Sequence, residues 1–421
     1  MPAGLEPRNK NREPVTRRLA NQLSGAAREE REEMAITTLE NPVLRNVGHI
    51  VDRDPTKAPP VDLPAGLRVV SADNHLEIGD DVFFERFPTR LKAKAPRVWF
   101  DQYWHIGYRD DVEALKLGPK GAAALARCNL TTVADLDVRR AAMDAEGVEY
   151  EICFPQTLVA FARYPDLEVQ ENMYRVYNEY CVDRLRGRGG RSVPVAVFSN
   201  WWDPAAADRA MRQILDLGFR TFMVPCSPGK GPDGRELSYG DPHFDRFWAL
   251  ANEAGLPVCF HVGEGVDLEH RGGLGATNMV LMAPFRKPFG QILFGGVFDR
   301  NPKLLVVFAE GGLAWVPPAL QDAEALFDSF VNGELIDRLE HRPSHYWREH
   351  CYATFQNDRL GLSQIDLIGA DRAMWATDYP HSEGSYGYGR QSMKTVVDMV
   401  GEERARAIIG ETAIKLFKLE A

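Results

Sequence analysis

From residue 67 onward, short apolar runs rich in β-branched residues alternate with stretches of helical period, and that alternation leaves few ways to fold. Candidate strands lie at Arg68–Ala72, Tyr150–Phe154, Ser192–Phe198, Arg220–Val224, Pro257–His261, Lys303–Ala309, Cys351–Phe355 and Ala373–Thr377. Helix-like segments sit between them at Val138–Glu146, Leu167–Leu185, Ala205–Leu217, Phe244–Ala254 and Val316–Phe330, with Gly147, Gly218 and Gly255 placed where a left-handed stop is needed. Repeated strand-then-helix order favours an all-parallel sheet, and eight strands is the number that closes an α/β (β/α)8 barrel. An open doubly wound sheet competes, but no Gly-x-Gly-x-x-Gly turn follows the first strand to support dinucleotide binding.

With 421 residues there is chain to spare beyond such a barrel. Residues 1–65 form an expected N-terminal arm and linker: Arg17, Arg18, Arg28 and Arg31 interleave with Glu29, Glu30, Glu32 and Glu33, and Pro55, Pro59, Pro60 and Pro64 follow. The arm is either a solvated tail or a clasp around a second subunit. Residues 66–421 form the expected barrel. Within it, 83–136 reads as a long loop inserted over the site, and the connections at 229–241 and 263–288 are also long. Trp99, Phe100, Tyr103, Trp104, His105 and Tyr108 belong to the insertion; Trp104 and His105 are candidate substrate contacts, with a small satellite core as the other role for aromatics there.

The net charge of −10 and the lack of a long Lys/Arg block give nucleic acid or an anionic membrane little to hold, so a small-molecule substrate is expected. Cys128, Cys153, Cys181, Cys226, Cys259 and Cys351 are scattered without a Cys-x-x-Cys pair and read as reduced residues. Glu6, Arg8, Lys10 and Arg12 occupy the place where a secretory segment needs apolar residues, and no stretch reaches ~18 uninterrupted apolar residues. A cytoplasmic location is the expectation.

Chemistry concentrates at strand ends. Ser71-Ala72-Asp73-Asn74-His75 puts a carboxylate and an imidazole two residues apart, hence on one strand face, where both suit a first-row metal. His261 ends the apolar run Pro257-Val258-Cys259-Phe260. Glu310 ends Val306-Val307-Phe308-Ala309 and is followed by Gly311-Gly312; a carboxylate there is costly unless paired, solvated or bound to metal. Trp375-Ala376-Thr377-Asp378-Tyr379-Pro380-His381 delivers Asp378 at the end of the eighth strand. These groups converge only if the barrel closes. Taken singly, each has a structural alternative as a cap, a core imidazole or a partner for arginine. Arg271 and Arg390 are candidates to pair with a substrate carboxylate, or ordinary surface groups.

In this order, from about Val69 to the C-terminus, the four segments resemble the amidohydrolase-related group, which includes aminocarboxymuconate semialdehyde decarboxylase, resorcylate-type decarboxylases and metal-dependent hydrolases. The resemblance implies one divalent metal held by Asp73, His75, His261 and Asp378, zinc first with manganese or iron acceptable, and a homodimer. Where the group has a sixth-strand His before Gly-Gly, this chain has Glu310, as in a branch with a Glu-x-Gly-x-x-Trp pattern matched by Glu310, Gly312 and Trp315. Glu310 is then either a proton-transfer group or a ligand.

Two reactions suit such a site. In hydrolysis of an amide, ester or lactone, Asp378 or Glu310 takes a proton from water while His381 steadies the oxyanion or leaving group. In nonoxidative decarboxylation of an aromatic or unsaturated acid, a protonated group must deliver its proton to carbon, which a Glu does less readily than a His near neutral pH. Hydrolysis is therefore the first expectation, decarboxylation the second, and a barrel that only binds ligand or scaffolds an assembly the third. No Gly-x-Ser-x-Gly, His-Glu-x-x-His or phosphate-loop motif occurs.

Overall fold

The computed structural model describes residues 60–78, 82–100, 104–108, 135–156, 166–185, 189–231, 234–263, 270–273, 275–276, 279, 284–330, 339–381 and 384–420. Residues 1–59, which carry most of the expected arm and the expected clasp, lie outside them. Residues 60–67 are not a free linker. Leu63 and Leu67 pack against the core, and Arg406 donates to the Ala65 carbonyl at 2.8 Å.

Eight parallel strands run in chain order round a barrel: β1 (Val70–Leu76), β4 (Tyr150–Pro155), a third strand split into β5 (Ser192–Pro194) and β6 (Ala196–Val197), then β7 (Phe222–Val224), β8 (Val258–His261), β9 (Val306–Ala309), β10 (Cys351–Phe355) and β11 (Ala373–Trp375). The split strand changes partner at its break: Val195 N donates back to Cys153 O on β4 at 2.9 Å, and Ala196 N forward to Thr221 O at 3.2 Å. The circle closes between the two chain-distant edges, where Asp378 N donates to Asp73 O at 2.9 Å and His75 N to Tyr379 O at 2.8 Å. Closure is what brings residues from β1 and from beyond β11 to one mouth, the C-terminal face of the barrel.

Local chemistry explains the covering helices. In α2 (Leu136–Glu146), the Asp135 side chain accepts from the Asp137 and Val138 amides, and Gly147 ends the helix at φ 76°. In α4 (Pro204–Asp216), Asp203 caps in the same way and Pro204 supplies a preset first residue. The helices α3 (Leu167–Leu185), α5 (Asp245–Ala254) and α8 (Val316–Phe330) follow their strands. Between β9 and its cover, Phe285, Phe289, Phe308, Trp315 and Trp347 form one aromatic cluster, with Phe308 and Trp315 centroids 5.2 Å apart.

The long insertion expected at 83–136 carries regular structure of its own. Its described part holds α1 (Val82–Arg86), a short 3-10 turn (Thr89–Lys94) and an antiparallel hairpin, β2 (Pro96–Phe100) with β3 (Trp104–Tyr108). Residues 109–134 lie outside the described residues. Cys153, Cys181, Cys226, Cys259 and Cys351 are buried and unbridged, as expected for reduced core thiols, while Cys128 lies outside the described residues. Among the described residues no helix is long and apolar enough to cross a membrane.

Candidate metal centre

β1 presents Asp73 and His75, both buried, at its C-terminal half. His261 is the last residue of β8, Glu310 follows β9, and Asp378 and His381 follow β11. All six converge. Donor atoms of Asp73, His75, His261 and Glu310 lie within 4.8 Å of one another, and so do those of His75, Glu310, Asp378 and His381. His75 Nε2 sits 3.1 Å from Asp378 Oδ1 and 3.4 Å from Glu310 Oε2; His261 Nε2 sits 3.3 Å from Asp73 Oδ1 and 3.1 Å from Glu310 Oε2. His381 Nδ1 is 2.9 Å from Asp378 Oδ1 and 4.0 Å from Glu310 Oε1.

Backbone geometry is spent on this arrangement. Glu310 and Asp378 adopt φ values of 71° and 55°, a region that non-glycine residues enter at a cost of about 1–3 kcal/mol and that functional sites tend to retain. The turn after Glu310 needs glycine, because a Cβ on Gly311 would meet the Phe285 ring at 2.1 Å. Thr354 on β10 ties two of the carboxylates together: its Oγ1 accepts from Glu310 N at 2.8 Å and donates to Asp73 Oδ2 at 3.3 Å.

The donor set fits a divalent cation on three counts. The Nδ1 atoms face main-chain carbonyls, His261 to Val262 O at 2.7 Å and His75 to Pro155 O at 3.4 Å, which turns each Nε2 into the cluster as a potential ligand. Glu310 Oε2 and Asp378 Oδ2 are buried without a hydrogen-bond partner among the described residues, a costly state that a cation relieves. The charges are also unbalanced towards carboxylate. Burial pulls His261 down, but Asp73 and Glu310 outweigh it and raise its imidazole well above the ordinary value. Burial pushes Glu310 up, yet His261, His75 and His381 hold its carboxyl well below the usual range; burial also pushes Asp73 up, and there it prevails.

Behind the cluster lies a polar network that strand patterns alone do not announce. Asn74, between Asp73 and His75 but on the opposite strand face, accepts at Oδ1 from Tyr379 N at 2.9 Å, from Thr377 Oγ1 at 2.6 Å and from Ser71 Oγ at 2.8 Å. Its Nδ2 donates to Glu151 Oε2 at 2.6 Å, and Glu151 Oε1 receives Arg139 Nε at 2.5 Å. The signal for it was Glu151 itself, an ionisable group inside the run Tyr150-Glu151-Ile152-Cys153-Phe154. Gln156, one residue past β4, pairs with His381 Nε2, its amide nitrogen at 3.0 Å and its oxygen at 3.2 Å.

Of the two arginines expected to meet a substrate carboxylate, Arg390 is exposed and donates to Val61 O at 3.4 Å, and Arg271 is exposed; neither belongs to the metal cluster. Trp104 and His105 belong to β3, and their side chains lie outside the described residues.

A family model described as Amidohydrolase matches residues 135–419. A gamma-resorcylate decarboxylase of Rhizobium radiobacter is 24% identical over 298 residues, which is 68% of this chain and 87% of the relative. Among solved structures, an amidohydrolase of Mycobacterium avium subsp. paratuberculosis superposes with a TM-score of 0.65 at 20% identity, over 84% of this chain and 100% of its own. A dihydroxybenzoic acid decarboxylase of Polaromonas sp., with bound manganese and the inhibitor 2-nitroresorcinol, superposes with a TM-score of 0.57 at 17% identity, over 84% and 98%.

Proposed function

The chain belongs to the amidohydrolase family, and on that premise we propose that it is a metal-dependent decarboxylase releasing CO2 from a small aromatic carboxylic acid. The order of expectation is thereby reversed: its relatives and fold neighbours include decarboxylases of hydroxylated benzoic acids, whereas the lean towards hydrolysis rested on Glu310 having to be the acid. Glu310 faces three imidazoles that hold its carboxyl well below the usual range, which argues against it as the acid. The observation that carries the reading is His381, whose Nδ1 lies 2.9 Å from Asp378 Oδ1 at the edge of the cluster.

Asp73, His75, His261 and Asp378 would hold the ion, with Glu310 completing or orienting the set. When bound, the ion would supply Lewis-acid charge that draws electron density from the oxygens of the substrate. Three carboxylates against two imidazoles make an oxygen-rich set, which manganese accepts as readily as zinc, and manganese is the ion in the Polaromonas neighbour. His381, with its Nδ1 2.9 Å from Asp378 Oδ1, would carry the proton to the ring carbon that bears the carboxylate. Transfer of that proton to carbon, with the C–C bond pair passing to the ring, leaves a C–H and free CO2. Gln156 fixes the imidazole from its far nitrogen.

Release of CO2 from gamma-resorcylate by manganese- or zinc-loaded protein, abolished by chelation and restored by metal, tests the reading. Hydrolysis of a lactone or ester panel without CO2 release from any hydroxybenzoate would overturn it.

A further inference from the structure

Just past β10, three neighbouring side chains leave buried polar atoms without a hydrogen-bond partner among the described residues: Gln356 Nε2, Asn357 Oδ1 and Arg359 Nε. Each such atom costs about 1–3 kcal/mol unless something pairs with it. Gln356 is only 8% exposed, and Arg359 has no carboxylate partner among the described residues. Gln356 is the first residue past the C-terminal end of β10, two residues beyond Thr354. Thr354 is the residue that touches both Asp73 and Glu310.

This segment is held rigidly. Asp358 Oδ2 accepts from Leu313 N at 2.6 Å and Ala314 N at 2.8 Å, in the turn that follows Glu310, and its Oδ1 accepts from Gly361 N at 2.7 Å. Asn357 Nδ2 donates to Tyr388 Oη at 2.9 Å, and that hydroxyl donates to Gly384 O at 3.0 Å. Gly384 in turn packs on Asp378, whose Cβ would lie 2.9 Å from an added Cβ. Idle donors on an immobilised segment are the signature of preorganised recognition rather than of loose packing.

We propose that residues 356–359 recognise the substrate's oxygens, the Gln356 Nε2 amide donating to a phenolic or carboxylate oxygen and Arg359 supplying the charge that favours an anion. The inference rests on the decarboxylase reading for the class of ligand, a hydroxylated aromatic acid, but it is read by binding and not by turnover.

The test titrates manganese-loaded protein calorimetrically with 2-nitroresorcinol and with gamma-resorcylate, for the wild type, Gln356→Leu and Arg359→Gln. Because Gln356 Nε2 has no partner among the described residues, Gln356→Leu should keep or raise the melting temperature and retain its metal while weakening both ligands about tenfold or more. Arg359→Gln should weaken them too, with a loss that shrinks as salt rises. Unchanged affinity in Gln356→Leu, or a wild type that binds neither ligand, overturns the assignment; unchanged affinity in Arg359→Gln alone removes the charge from it. Binding that fails in Gln356→Leu while the wild type releases no CO2 would uphold this inference and defeat the decarboxylase reading.

Discussion

Arg139 donates from one guanidinium nitrogen to the main-chain oxygen of His75 at 2.5 Å, while its Nε holds the Glu151 carboxylate, also at 2.5 Å. Both side chains are essentially inaccessible to solvent. The pair therefore fixes the end of β1 from behind, and its stacking 5.3 Å from the Tyr379 ring reaches the residue next to Asp378. A buried pair of this kind adds little net stability over apolar residues, but removing one member strands the other. Arg139→Ala is expected to cost about 3–5 kcal/mol in urea unfolding. A loss below about 1 kcal/mol would show that the pair is solvated.

The same pair makes stability depend on pH in a defined direction. Burial pushes Glu151 up, but Arg139, Ser192 and Asn74 overcome it and leave its carboxyl below the ordinary 4.5. A group depressed in the folded state adds stability that is complete above its unfolded value and is lost as pH falls through the folded one. The difference in unfolding free energy between wild type and Glu151→Gln should thus be constant from neutral pH down to about 5 and shrink below it. A difference that grows on acidification would contradict the direction.

Much of this architecture was legible because periodicity is a local property. The strand at Cys351–Phe355 and the helices at Leu167–Leu185 and Val316–Phe330 run as expected from their alternation, the strand expected at Ser192–Phe198 is split in two, and the other strands shift by a few residues at their ends. The antiparallel pair Pro96–Phe100 and Trp104–Tyr108 was hidden because its aromatics show no clean alternation. Asp73, His75, His261, Glu310 and Asp378 were visible as polar groups closing apolar runs. Asn74, Arg139, Glu151 and Thr354 were not, since their roles come from pairings such as Asn74 with Glu151 and Thr354 with Asp73, 77 and 281 residues apart.

Metal uptake should release protons. Asp73 and Glu310 raise His261 well above its ordinary value and so favour its protonated form, which a cation must displace. Calorimetric titration of apo protein with manganese at pH 7, in buffers of different ionisation enthalpy, is expected to show about one proton released per ion, and affinity should fall as pH is lowered. Asp73→Ala and His261→Ala should lose the ion while remaining folded. Full metal content in both would sink the ligand assignment.

His381 differs from those ligands in what its loss should do. Its Nδ1 pairs with Asp378 and its Nε2 with Gln156, so it can hold a proton without being needed to hold the cation. His381→Asn should keep the metal and bind 2-nitroresorcinol nearly as the wild type does, yet lower kcat for gamma-resorcylate by about 10²-fold or more, the usual contribution of a positioned acid. Gln156→Leu leaves the imidazole in place but frees its far nitrogen, so a smaller loss is expected, with the kcat–pH profile displaced rather than flattened. If His381→Asn instead lost metal and activity together, His381 would belong to the coordination sphere, and the proton would have to come from Asp378 alone.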